Sequence, residues 1–117
     1  MENIKTDIIA LKLWAKINLA GNYYPSPIGQ IHITMKGIKE TLNQPHKFKH
    51  QKNNAIYGIE KLLALSEFVK TINDIKGRPF LWHYLKIIIA ENNSYIVIRE
   101  DIQSGTKILY SIVDNIK

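Results

Sequence analysis

The chain has 117 residues, 45% of them hydrophobic and 22% charged, a balance that suits one globular domain and excludes a disordered tail or low-complexity linker. Cysteine is absent, which excludes a disulfide framework, a thiolate zinc site and a cysteine nucleophile. The formal charge of +6 favours polyanionic partners. The apolar runs, such as residues 85–90 with Lys86 inside, are too short to span a bilayer, so no membrane partner is expected. Met1-Glu2-Asn3-Ile4-Lys5 has no basic region feeding an apolar one and does not read as a signal peptide. A cytoplasmic location is the expectation.

Residues 6–20 read as a helix, because Ile4, Ile8, Leu11 and Ala15 recur at helical spacing with Lys5, Lys12 and Lys16 elsewhere. Gly21-Asn22 supplies the stop. Residues 23–29 contain Pro25 and Pro27, which forbid a helix, and read as a loop. Residues 30–35 alternate Ile31, Ile33 and Met35 with His32 and Thr34, the pattern of a half-buried strand. A short helix over 37–42 follows, then a polar and exposed segment over 46–52. Asn53 or Asn54 is placed to cap a helix over 55–72, with Ile56, Ile59, Leu63, Val69 and Ile72 as its apolar stripe.

After Gly77-Arg78-Pro79 the texture changes. Residues 80–90 are aromatic and β-branched and predict a long strand. A tight turn over 91–94, a strand over 95–99, a loop over 100–106 and a strand over 108–113 complete a three-strand antiparallel meander. The fold expected is α+β, with N-terminal helices packed on a C-terminal antiparallel β-sheet of about four strands. The strand near Ile31 is expected to join that sheet, and the 55–72 helix to cover one of its faces. The whole of 1–117 reads as a single domain.

The segment with most chemistry runs from 36 to 52. It sets Lys36, Lys39, Lys47, Lys49 and Lys52 against one acid, Glu40, and adds His46 and His50. A solvated loop is the plain reading; a phosphate-binding segment with acid–base groups is the sharper one. His46 and His50 are four apart, a spacing that also serves metal ligands. Lys47 and Lys49 between them and the missing Glu argue against a metal, and imidazoles suit metal-free proton transfer. No metal and no cofactor are expected.

His32 reads as a hydrogen-bonding strand residue. His83 shares its side with Leu81, Leu85 and Ile87 and reads as a core or edge histidine. Trp14, Trp82, Tyr84 and Tyr110 sit amid apolar neighbours and read as core. Tyr23 and Tyr24, in the Pro-containing loop, are the better candidates for stacking on bases. Arg99 and Ser111 are polar positions inside apolar strands. On one sheet face they would present a cation and a hydroxyl to a ligand. There is no GxGxxG, Walker lysine loop or Gly-x-Ser-x-Gly.

The order of features resembles the barnase–EndoU–colicin–RelE-like (BECR) nuclease superfamily, in the versions found in large polyvalent phage proteins and toxins. The features are Ile31-His32-Ile33-Thr34, Lys36 to Leu42, the His/Lys connector, the helix from Ala55, and a meander ending in Ile108-Leu109-Tyr110-Ser111-Ile112. The resemblance covers residues 28–114 and leaves the helix and loop of 1–27 mostly outside. It implies a metal-independent ribonuclease that cleaves RNA by attack of the 2′-OH. His46 and His50 would then serve as base and acid. Lys36, Lys47, Lys49 and Arg99 would meet the phosphate, and Ser111 would orient it. Lys39, Lys52, Tyr23 and Tyr24 complete the expected RNA-binding set. The sequence departs from this chemistry in one respect, since no Glu stands in an obvious base position. RNA is the expected partner, with an antitoxin- or immunity-like inhibitor protein as a second. A non-catalytic nucleic-acid-binding module and a protein-interaction domain are the alternative functions.

Overall fold

The computed structural model describes residues 7–116. Helix α1 (Ile8–Asn18) begins at Asp7, whose carboxylate accepts from the Ala10 N–H at 3.0 Å and satisfies one of the donors a helix start leaves open. The expected start at Thr6, with Ile4 and Lys5, lies outside the described residues. Leu11 and Ala15 face inward, as the stripe requires.

The segment expected as a loop is a β-hairpin. β1 (Tyr23–Ser26) pairs antiparallel with β2 (Gly29–His32). Ser26 Oγ closes the turn by donating to the Gly29 carbonyl and accepting from Ile28 N–H. Pro25 is tolerated because β1 is an outermost strand with β2 as its one neighbour, where a missing N–H breaks no second ladder. Met35, expected to end a strand, instead opens α2 (Met35–Asn43). Thr34 caps it by accepting from Gly37 N–H at 3.0 Å, and a cap of this kind ends the extended run at Ile33.

The helix expected over 55–72 is shorter and displaced. Helical structure begins with α3 (Lys49–Asn54), passes through a 3-10 turn (Ala55–Gly58) and ends with α4 (Ile59–Leu65). Asn53 and Asn54 lie inside α3 rather than capping its successor. Ser66 turns extended and its hydroxyl donates to the Leu63 carbonyl. Val69 and Ile72 then belong to β3 (Glu67–Asn73), which suits their β-branched side chains.

β4 (Phe80–Ile89), β5 (Asn92–Asp101) and β6 (Lys107–Val113) form the expected meander. The β4–β5 turn is tighter than expected. It consists of Ala90 and Glu91, both with left-handed φ (50° and 63°), so Asn92 to Ser94 are already strand. The positive φ values match the two-residue hairpin turn that follows strand twist.

The sheet has six strands in the order β1-β2-β6-β5-β4-β3 and is mixed, not a four-stranded antiparallel one. β2 runs parallel to β6 through His32 and Ile108, and the other neighbours are antiparallel. The strand at Ile31 does join the meander. The two extra strands come from the Tyr23 hairpin and from the segment assigned to the end of the long helix.

The helices lie on one face of the sheet. Leu11, Ala15, Ile38, Leu42, Ile56, Ile59 and Leu63 meet Ile31, Leu85, Ile87, Ile96, Ile98, Leu109 and Ile112 in one buried cluster. α2 approaches β6 so closely that a Cβ at Gly37 would run into the Leu109 carbonyl, so only glycine fits there. Strand pairing places the alternate residues of β4, Phe80, Trp82 and Tyr84, opposite Asp101, Arg99 and Val97 on the other face.

Candidate functional site

The face away from the helices collects aromatic and cationic side chains from five strands. The Tyr23 and His32 rings stack at 4.4 Å with an interplanar angle of 10°. His32 pairs with Ile108, and Ile108 pairs with Arg99, which carries the same face across the sheet. A bulge in β6 between the partners of Val97 and Ile98 lets Tyr110 join it. Tyr110 packs edge-on against Trp82 at 4.9 Å. The Arg99 guanidinium lies 4.6 Å from the Phe80 ring centroid and 5.9 Å from that of Tyr110. Ser111, opposite Val97, is on this face too, so Arg99 and Ser111 do share it.

Beside this aromatic row is a groove of about 620 Å³. Tyr84, Val97 and Ser111 are buried in its floor, the 72–78 segment forms one wall, and Gln44, Pro45 and Asp114 border the other side. Asp74 organises the first wall. Its carboxylate accepts from Arg78 Nε and Nη2 at 3.0 and 2.9 Å and from Trp82 Nε1 at 3.0 Å. The backbone N–H groups of Lys76 and Arg78 also donate to it. These donors, Arg78 first, hold the Asp74 carboxyl well below the usual carboxylate range. The same contacts fix the Trp82 indole, and the Arg78 guanidinium keeps its outer side in solvent, 5.6 Å from Phe80.

The connector histidines are not in this groove. His46 Nδ1 accepts from Phe48 N–H at 2.8 Å, which leaves the proton on Nε2 to be donated to buried Ser94 at 2.9 Å. Burial is the main cause that pushes the His46 pKa down. The ring is thus a neutral clamp between the connector and β5, where an exposed position was expected. His50 is half-buried on α3.

Lys52 overturns the expectation of exposure outright. It is 0% exposed, and Nζ donates to the carbonyls of Thr41 and Gln44 at the end of α2. A cation there answers open carbonyls and the helix dipole. Burial lowers its pKa to about 8. Lys36, Lys39, Lys47 and Lys49 are exposed as expected. Tyr23 lies on the aromatic face, while Tyr24 packs against the core and its hydroxyl accepts from Asn22.

A second polar cluster sits on the helix side of the sheet, outside the apolar core. His83 Nδ1 is 2.6 Å from Thr71 Oγ1, and its Nε2 is 2.7 Å from Glu100 Oε1. Lys107 Nζ lies 3.8 Å from the same carboxylate. The sequence pattern puts Glu100 in a loop, away from any histidine, whereas β5 extends to Asp101 and carries it beside His83. The side of β4 that His83 takes was readable from its alternation with Leu81 and Leu85. Among the described residues no group of His, Asp and Glu is placed to hold a metal ion, and no helix is long and apolar enough to cross a membrane.

Comparison with curated proteins and with solved structures gave no match. The family described as large polyvalent protein-associated domain 3 matches residues 3–110. That span takes in the helices, the hairpin and the sheet up to Tyr110, and the chain belongs to this family, a domain type of phage polyvalent proteins.

Proposed function

We propose that the domain binds single-stranded RNA across the uncovered face of the sheet. One observation carries this reading: Arg99 packed over Phe80 and beside Tyr110, on the same open face as the Tyr23–His32 stack. Unpaired bases stack on such rings whatever their sequence, and arginine adds charge to the phosphate and a flat surface to the base. The net charge of +6 supplies the sequence-independent attraction, and exposed Lys47 and Lys49 would extend it beyond the groove.

Fluorescence anisotropy with a labelled single-stranded RNA tests it. The wild type should bind, with affinity falling steeply as salt rises. The Arg99→Ala, Tyr110→Ala double variant should bind about tenfold or more weakly, since one lost stacking contact alone is worth about 1–3 kcal/mol. No binding at low salt, or equal binding by the double variant, would reject the proposal.

Cleavage of RNA is a second reading, favoured by the 2.7 Å His83–Glu100 pair; it would need RNA to reach the helix side of the sheet, not the aromatic face. The pair sets a carboxylate beside an imidazole that it can orient, and an oriented imidazole is one of the acid–base groups that metal-free 2′-OH attack calls for. His46 and His50 are the competing acid–base pair. Incubation with RNA in EDTA should give ends carrying a 2′,3′-cyclic phosphate. Loss of that product in His83→Gln, but not in His46→Gln or His50→Gln, would assign the chemistry to the sheet. Intact RNA throughout would leave binding alone.

A further inference from the structure

We propose that the groove between α1 and α2 is a docking site for an acidic amphipathic helix. Helix α1 is apolar on two sides. Leu11, Ala15 and Leu19 turn inward, while Ile9, Leu13 and Ile17 repeat at four-residue spacing on the outside, 81%, 60% and 75% exposed. The helix needs one apolar face to pack on its own sheet, so the second has no use within the described domain. It is also not a scatter of single exposed residues, because four-residue spacing puts all three side chains in one row.

This row borders a depression of about 480 Å³ between the two helices. Ile9, Leu13 and Met35 line its apolar part, and Lys12, Lys16 and Lys39 surround them. Across α1 and α2 the charged residues are Lys12, Lys16, Lys36 and Lys39 against Glu40 alone. Asp7, just before α1, is engaged at its N-terminus. An apolar seam with a cationic rim is complementary to a helix with an apolar stripe and Asp or Glu on both flanks.

The shape and charge favour this occupant over two others. A second copy of the chain would bring the same lysines face to face. A lipid surface is broad and flat, whereas a concave seam between two helices receives one helix as ridges into a groove. α1 has 11 residues, about 16 Å of axis, so the seam holds roughly three turns of a partner. The proposal does not depend on RNA binding, which uses the opposite face.

The test uses the full chain and two labelled helical peptides with the same leucine stripe, one flanked by glutamates and one by lysines. The acidic peptide should bind and shift the amide resonances of α1 and α2. The lysine-flanked peptide should not bind. Leu13→Glu should weaken binding about tenfold or more, as loss of a central anchor does. The Lys12→Glu, Lys16→Glu double variant should exchange the preference, binding the basic peptide and releasing the acidic one. All three positions are exposed, and circular dichroism checks that the variants keep the fold. Equal binding of both peptides, binding unchanged by Leu13→Glu, or no binding of the acidic peptide would overturn the proposal. So would a concentration-dependent dimer abolished by Leu13→Glu, which would assign the face to a second copy. Sedimentation with phosphatidylglycerol vesicles but no peptide binding would assign it to membrane and overturn it equally.

Discussion

Along β4, Leu85, Ile87 and Ile89 enter the helix-covered core, while Phe80, Trp82 and Tyr84 take the other side of the same strand. The covered face is aliphatic and is closed by Leu and Ile from the helices. The open face is aromatic, and its rings meet Arg78, Arg99 and Asp74 in place of a second layer. Aliphatic side chains are stabilised by exclusion of water, so they need a cover. Tyr, Trp and Arg have apolar bodies and polar ends, and tolerate a half-wet surface. The contrast separates what holds the domain together from what is left available to a ligand.

The largest effect should come from the covered face. Leu85 is fully buried opposite Ile96, and Leu85→Ala should cost about 2–5 kcal/mol in urea unfolding. Tyr110→Ala should cost clearly less, while acting on RNA affinity. Equal losses at the two positions would erase the distinction between the faces. A smaller effect is expected at the contact between α2 and β6. Gly37→Ala must push the helix away from the Leu109 carbonyl, a strain worth about 1–3 kcal/mol. An unchanged unfolding midpoint would mean that α2 can shift freely over the sheet.

The mildest test is pH, and it acts through the connector on the covered side. Folded His46 resists protonation because of burial. The unfolded chain takes up that proton near the ordinary imidazole value of 6.5, so stability should fall as pH drops below it. Lys52 behaves with the same sign at higher pH. It holds its proton up to 10.5 when unfolded but only to about 8 when folded, so stability should rise across that interval. The urea midpoint should therefore be lower at pH 5 than at pH 7, and higher at about pH 9.5 than at pH 7.5. His46→Gln should flatten the first change and Lys52→Met the second. Slopes that survive these substitutions would move their origin to other groups.

What could be read in the sequence follows the same physical division. The alternation in β4 and β5 was legible because one face of each strand is buried, which imposes a period of two. β3 was not, because nearly all its residues are exposed and an edge strand then has no burial pattern to reveal it. Val69 and Ile72 consequently passed as the end of a helical stripe. Pro25 correctly excluded a helix, but whether a proline sits in a loop or an edge strand depends on what lies beside it. Arg99 and Ser111 were legible as polar interruptions in apolar strands. Trp82 and Tyr110 were misassigned to the core, since hydrophobic neighbours in sequence do not say which face the helices cover. Lys52 was misread for a related reason: its partners are carbonyls at the end of α2, which belong to another element.

The parallel contact between β2 and β6 also constrains when the fold can form. It joins His32, early in the chain, to Ile108, near its other end, so this pairing has a long loop to close before it gains anything. During synthesis the Tyr23 hairpin must wait, with its inner edge unpaired, until the last strand has left the ribosome. Ribosomes stalled before residue 107 should therefore carry a chain whose hairpin is open to proteolysis, and release of the final strand should close it.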